Sequence, residues 1–148
     1  MNQYPPVVLE REFAASIDRV FDAWTTAESL SRWFRGSPES HVRHATVDLQ
    51  VGGAYRIEVQ GKEDVYVVLG HYLTIERPYR LEFTWKWEEG TLEPGETLVQ
   101  VELTPVGERT RLRLTHSKFT TDQSAQAHDK GWLAVLTTLG TFVEEEKL

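Results

Sequence analysis

The sequence contains no cysteine, which excludes disulfide staples, thiolate metal sites and a cysteine nucleophile together. It has no basic run: 16 lysines and arginines are scattered among 23 acidic residues, leaving a formal charge of −7. A footprint on a phosphate backbone is therefore not expected, and neither is a nucleic-acid partner. No window approaches the roughly 20 apolar residues of a membrane span. The first eight residues lack a basic segment followed by an apolar run, so no secretory leader is expected and a cytoplasmic location is the default reading. Also missing are the glycine motifs that cradle phosphates or dinucleotides, the GxSxG nucleophile elbow and the HExxH zinc spacing. Neither a cofactor nor a metal site is expected.

What is present is an ordinary globular composition, 40% hydrophobic and 26% charged over 148 residues. A chain of this length buries about two-thirds of its unfolded surface. One domain spanning residues 1–148 is the expectation.

Hydrophobic periodicity supplies the element order. Apolar and charged residues alternate from Val7 to Ala15, a first strand. Ser16 is placed to cap a short helix carrying Ile17, Val20, Phe21 and Trp24 on one face, with Asp18 in its first turn. Thr26 is placed to cap a second, whose apolar residues are Ala27, Leu30, Trp33 and Phe34. A polar loop follows to about His41. From Val42 to His116 the period changes to two, giving six strands separated by turns at Gly52–Gly53, Gly61–Lys62, Pro78, 89–95 and Pro105–Glu108.

Ala45–Val51 and Ala54–Val59 form the first pair. Gly70, inside the apolar run Val65–Ile75, predicts a bulge or bend, which leaves open how His71 and Tyr72 point. Tyr79 to Trp87 alternates most clearly, with Tyr79, Leu81, Phe83, Trp85 and Trp87 on one face. Thr97–Thr104 and Arg109–His116 follow, the latter placing Leu112, Leu114 and His116 together.

The helical period returns after Phe119. Asp122 is a candidate cap, and Ala125, His128, Trp132, Val135, Leu136, Leu139 and Phe142 or Val143 make one stripe. About 20 residues give roughly 30 Å of helix, enough to cross a sheet. The acidic run Glu144–Glu146 sits at the negative end of the helix dipole and predicts fraying there.

Four stretches resemble a known family: FDAWTTAESLSRWF (Phe21–Phe34), VGGAYRI (Val51–Ile57), RPYRLEFTWKW (Arg77–Trp87), and TRLRLTHSKF (Thr110–Phe119) paired with HDKGW (His128–Trp132). In order and spacing they resemble the homologues of the heat-shock-protein-ninety ATPase activator, within the START-related, birch-pollen-allergen-like superfamily. The resemblance implies an α+β helix-grip fold: a curved seven-stranded antiparallel sheet around a long C-terminal helix, with two short helices after strand one. It also implies a ligand-binding module. The eukaryotic co-chaperone that names the family carries an additional N-terminal domain for which these residues leave no room. A protein-interaction module is the second implied reading, and a cyclase- or hydrolase-like enzyme using a cavity histidine the third.

In such a fold the aromatic row Tyr79, Phe83, Trp85 and Trp87 lines a cavity for a small hydrophobic or amphipathic molecule, or else forms plain core. Tyr55, Phe83, Trp85, Trp87 and Trp132 are the residues expected to hold that ligand, with His116 or His128 orienting it. Leu81 should be plain core. Trp33 and Phe34 would form a lid or cap the core. His116 and His128 are the histidines on apolar faces, and a pair near a carboxylate could bind metal or exchange protons. Their spacing lacks a metal signature. Gly131 lets the helix approach a strand, at about 1 kcal/mol against alanine. Glu82, Glu88 and Glu102 fall on the outer face and should be solvated.

Overall fold

A computed structural model describes residues 4–88 and 95–145. Strand β1 (Val7–Phe13) leads into helices α1 (Ile17–Thr25) and α2 (Ala27–Trp33). Six strands follow: β2 (His41–Val47), β3 (Ala54–Gln60), β4 (Val65–Glu76), β5 (Arg80–Trp87), β6 (Thr97–Val106) and β7 (Arg109–Ser117). Helix α3 (Asp122–Glu145) is the last element among the described residues. The strands form a seven-stranded antiparallel sheet in the order β1-β7-β6-β5-β4-β3-β2. The first strand thus returns to pair with the last, from Val7 opposite His116 to Phe13 opposite Thr110. This is the helix-grip α+β fold.

Local chemistry sets the helix boundaries. The Ser16 Oγ accepts from the Arg19 N–H and the Thr26 Oγ1 from the Ser29 N–H, each at 3.2 Å, which satisfies one orphan donor at each helix start. At α3 the cap is Thr121 and not Asp122: its Oγ1 accepts from the Ser124 N–H at 3.0 Å. Asp122 occupies the first turn instead, where a carboxylate still suits the dipole.

The C-terminal end of α3 is fastened, contrary to the fraying expected of it. The Arg19 guanidinium donates to the carbonyls of Val143 (2.8 Å) and Phe142 (3.2 Å), and the Glu144 carboxylate accepts from the Ala14 N–H at 2.9 Å. A cation on the last carbonyls offsets the unfavourable acidic run. Residue 146 lies outside the described residues, as does the expected loop over 89–94.

Sheet register corrects several strand expectations. β2 ends at Val47, and the chain turns over 48–53, with Gly52 at φ 87° closing the turn. The register of β4 against β5 is unbroken at Gly70 and shifts between Tyr72 and Thr74, so the bulge falls at the exposed Leu73. Tyr72 is buried and His71 faces out. Gly70 marks a close backbone approach, since a Cβ there would lie 2.0 Å from the Thr84 carbonyl oxygen.

Tyr79 does not join the inner aromatic row. It precedes β5, in the turn after the cis Arg77–Pro78 peptide, and is 56% exposed. β6 continues through Pro105, which pairs with Thr110. Leu103 donates its N–H to Tyr79 on the β5 side, so Pro105, two residues on, points its missing N–H past the start of β5 and costs no ladder bond.

Helices α1, α2 and α3 cover one face of the sheet. Leu81, Val99, Val101, Leu112 and Leu114 pack with Val20, Phe21, Leu136, Leu139 and Val143 in the main core. The opposite face is polar, and Glu82 is more than solvated there. Its carboxylate accepts from Thr74 (2.7 Å), Gln100 (2.7 Å) and Arg80. Partial burial raises its pKa, and these bonds more than offset that, so the net shift is downward.

Candidate functional site

Three indoles on two elements form the floor of a cleft. The β5 alternation turns Trp85 inward and leaves Trp87 half-buried at the end of the strand, while α3 presents Trp132 across from them. Trp85 lies 5.6 Å from Trp87 and 5.1 Å from Trp132, ring centroid to centroid. Around them opens a cleft of about 840 Å³. One wall is the N-terminal half of α3, with Ser124, His128 and Gly131. The others are the segment after α2, Phe34 to Ser40, and the β3–β4 hairpin, with Val59, Lys62 and Tyr66.

Of the residues singled out in the sequence, Trp85, Trp87, His128 and Trp132 line this cleft. Tyr55 and Phe83 lie deeper, around an inner hollow of about 20 Å³ shared with Trp24, Tyr72 and Trp85. That volume suits about one water molecule. Burial, and then the neighbouring Tyr72, push the Tyr55 phenol well above its ordinary pKa; its O–H donates to the Thr84 carbonyl at 2.6 Å.

Trp33 forms no lid. It is fully buried, donates to the Ala23 carbonyl at 2.8 Å and packs edge-on against Trp24 at 4.9 Å. Phe34 takes the position at the cleft.

The two histidines do come together, 5.0 Å between ring centroids, but their nitrogens are engaged. Trp132 Nε1–H donates to His116 Nδ1 at 3.0 Å. That leaves His116 Nε2 to donate to Thr97 Oγ1 at 2.7 Å, and the Thr97 hydroxyl donates onward to the Trp85 carbonyl at 3.1 Å. His128 Nδ1 meets the Ser124 carbonyl at 2.8 Å, so it carries the proton, and Nε2 accepts from Trp87 Nε1–H at 3.2 Å.

Both rings are therefore neutral. Burial, and then the proximity of His128, hold His116 well below the usual histidine pKa. Burial lowers His128 too, against the opposing bond to the Ser124 carbonyl. Neither ring offers a free nitrogen as base or ligand while these bonds stand. They work as braces, tying α3 to β5, β6 and β7.

Gly131 was expected to permit helix–strand packing, yet a Cβ there would meet nothing within 4 Å. It borders the cleft instead. A mid-helix glycine without a packing partner costs about 1 kcal/mol relative to alanine. Gly131→Ala should therefore raise stability by about that amount in urea denaturation. An unchanged or lower midpoint would show that the position is occupied after all.

Sequence reading missed the cleft's polar residues, Arg35, Ser37, Ser40, Lys62, Gln123 and Ser124. They sit in loops and at a helix start, where no periodicity marks which side faces inward.

The fold and cleft together make a helix-grip scaffold of the ligand-binding kind. Residues 14–144 match the family described as Activator of Hsp90 ATPase homolog 1-like protein, and the chain belongs to that family. No curated protein matches it. Among solved structures it is similar to a protein from Chromobacterium violaceum (TM-score 0.84, 22% identity, covering 95% of this chain and 98% of that one). It is also similar to the AHSA1 protein from Silicibacter pomeroyi (TM-score 0.80, 26% identity, 92% and 95% covered). CalU16 from Micromonospora echinospora is a third relative (TM-score 0.70, 27% identity, 94% and 76% covered). Among the described residues no helix is long and apolar enough to cross a membrane.

Proposed function

We propose that this protein binds a small hydrophobic or amphipathic molecule in the cleft between α3, the β3–β4 hairpin and the segment after α2. The observation that carries this reading is the cleft itself: about 840 Å³ floored by Trp85, Trp87 and Trp132. Such a volume falls within the range of pockets that enclose small organic ligands. Flat apolar rings supply the affinity, since each buried Å² of apolar surface contributes roughly 25 cal/mol. The histidine braces fix the positions of two of the three indoles before any ligand arrives, which lowers the ordering cost of binding.

The test is a panel of aromatic and aliphatic compounds screened by thermal unfolding, beside native mass spectrometry of protein purified from its own host. A ligand at one hundred times its Kd should stabilise the fold by about 2.7 kcal/mol. Gly131→Leu, which projects a side chain into the cleft, should abolish that shift while leaving the unliganded protein folded. A panel without a stabilising compound, together with a protein that carries no bound molecule, would reject the reading. So would a shift that survives Gly131→Leu.

A further inference from the structure

Among the described residues, the charged side chains that line the cleft are both basic, whereas the chain as a whole is acidic. Over the whole sequence 23 acidic residues outnumber 16 basic ones. Yet among the described residues that line the cleft there is no aspartate or glutamate, while Arg35 and Lys62 are both there. Arg35 follows α2 and Lys62 follows β3, so the two cations come from separate loops on the same opening. Both side chains are exposed, and neither has a carboxylate partner among the described residues.

The start of the 24-residue α3 borders the same space through its cap Thr121 and through Gln123 and Ser124, with the Asp122 carboxylate in the same turn. The His128 nitrogen that could accept is already occupied by Trp87.

We propose that the ligand is an organic carboxylic acid, bound as its anion. Its carboxylate lies at the rim between Arg35 and Lys62, and its apolar body lies on Trp85, Trp87 and Trp132. This inference rests on the function proposed above and narrows it to one chemical class.

The test compares three probes that share one body: naphthoate, naphthalenemethanol and naphthylmethylammonium, titrated into the full chain by calorimetry near neutral pH at low and high salt. The acid should bind about tenfold more tightly than the alcohol at low salt, as two solvent-facing ion pairs allow, and the ammonium weakest. High salt should shrink the gap between acid and alcohol. Arg35→Gln combined with Lys62→Gln should bring the acid down to the affinity of the alcohol and leave the alcohol unchanged. Both side chains are exposed, so the double variant should keep the wild-type fold. Equal affinity for all three probes would overturn the carboxylate assignment while leaving the cleft as a binding site. A preference for the acid that persists in the double variant would also overturn it. Failure of every probe to bind would overturn this inference, and the binding reading falls with it only when the wider panel and native mass spectrometry are empty as well.

Discussion

Gly70→Ala should cost at least about 3 kcal/mol of folding stability, enough to leave much of the protein unfolded at a temperature where the wild type is native. The added Cβ would lie 2.0 Å from the Thr84 carbonyl oxygen, 2.7 Å from its carbonyl carbon and 2.8 Å from its Oγ1. The two nearest are backbone atoms, which cannot swing away. Relief requires β4 and β5 to separate, and both hydrogen bonds at Thr84 would suffer. The Tyr55 hydroxyl donates to that carbonyl, and the His71 N–H donates to Thr84 Oγ1 at 2.9 Å. Tyr55 and Phe83 would lose their edge-on packing, now 5.4 Å between centroids. Urea denaturation of Gly70→Ala beside Gly131→Ala makes the measurement self-controlled, because the same chemical change should have opposite signs at the two sites. A Gly70→Ala protein within 1 kcal/mol of wild type would show that the two strands are not held this closely.

Acid should weaken the fold from near pH 6.5 downward. His116 is fully buried and neutral, and burial places its pKa well below the 6.5 of an exposed histidine. Between that lowered value and 6.5 the unfolded chain binds a proton that the folded chain does not. Stability is therefore complete above pH 6.5 and falls as pH drops below it. Once the unfolded ring is protonated the slope is about 1.4 kcal/mol per pH unit for His116. His128 is shifted in the same direction and adds to the effect.

The structural cost of protonation is specific. A second proton on His116 must go to Nδ1, which is the acceptor for the Trp132 indole. Two donors would then face each other in a buried site. His116→Gln keeps one donor and one acceptor but cannot titrate, so its stability between pH 6.5 and about 5 should be flatter than that of wild type. Chemical denaturation at a series of pH values reads the difference. A wild-type profile already flat across this interval would mean that burial does not hold the His116 pKa below that of the unfolded chain.

The elements themselves were legible in the sequence because their signals are local. Ser16 and Thr26 bond the N–H three residues on, wherever the helices later pack. The alternation from Leu81 to Trp87 is imposed by the pleat, and it orders the inner row correctly once Tyr79 is removed. Tyr79 fits the same parity, but parity cannot show that the strand begins one residue later. The bulge at Leu73 escaped for a related reason: a glycine at a close approach and a glycine at a bulge look alike in sequence.

The candidate site was legible only in part. Its floor consists of long apolar side chains on regular elements, which periodicity finds. Its rim is assembled from residues after α2, after β3 and at the start of α3, and their proximity is a product of the tertiary fold. Trp33 and Phe34 are sequence neighbours at the end of α2, yet one is fully buried and the other faces the cleft. Helical periodicity does not resolve adjacent residues at a helix end. Gly131 was visible as a costly residue, but its open surroundings were not.

The placement of the indoles gives the protein an optical property. Of its five tryptophans, Trp85, Trp87 and Trp132 border the cleft, while Trp24 and Trp33 do not. A molecule entering the cleft meets chiefly the half-buried Trp87, because Trp85 and Trp132 are only 5% and 3% exposed, as buried as Trp24 at 4%. Occupancy is thus written into the intrinsic emission of the unlabelled chain through Trp87 above all, with the other four indoles as background.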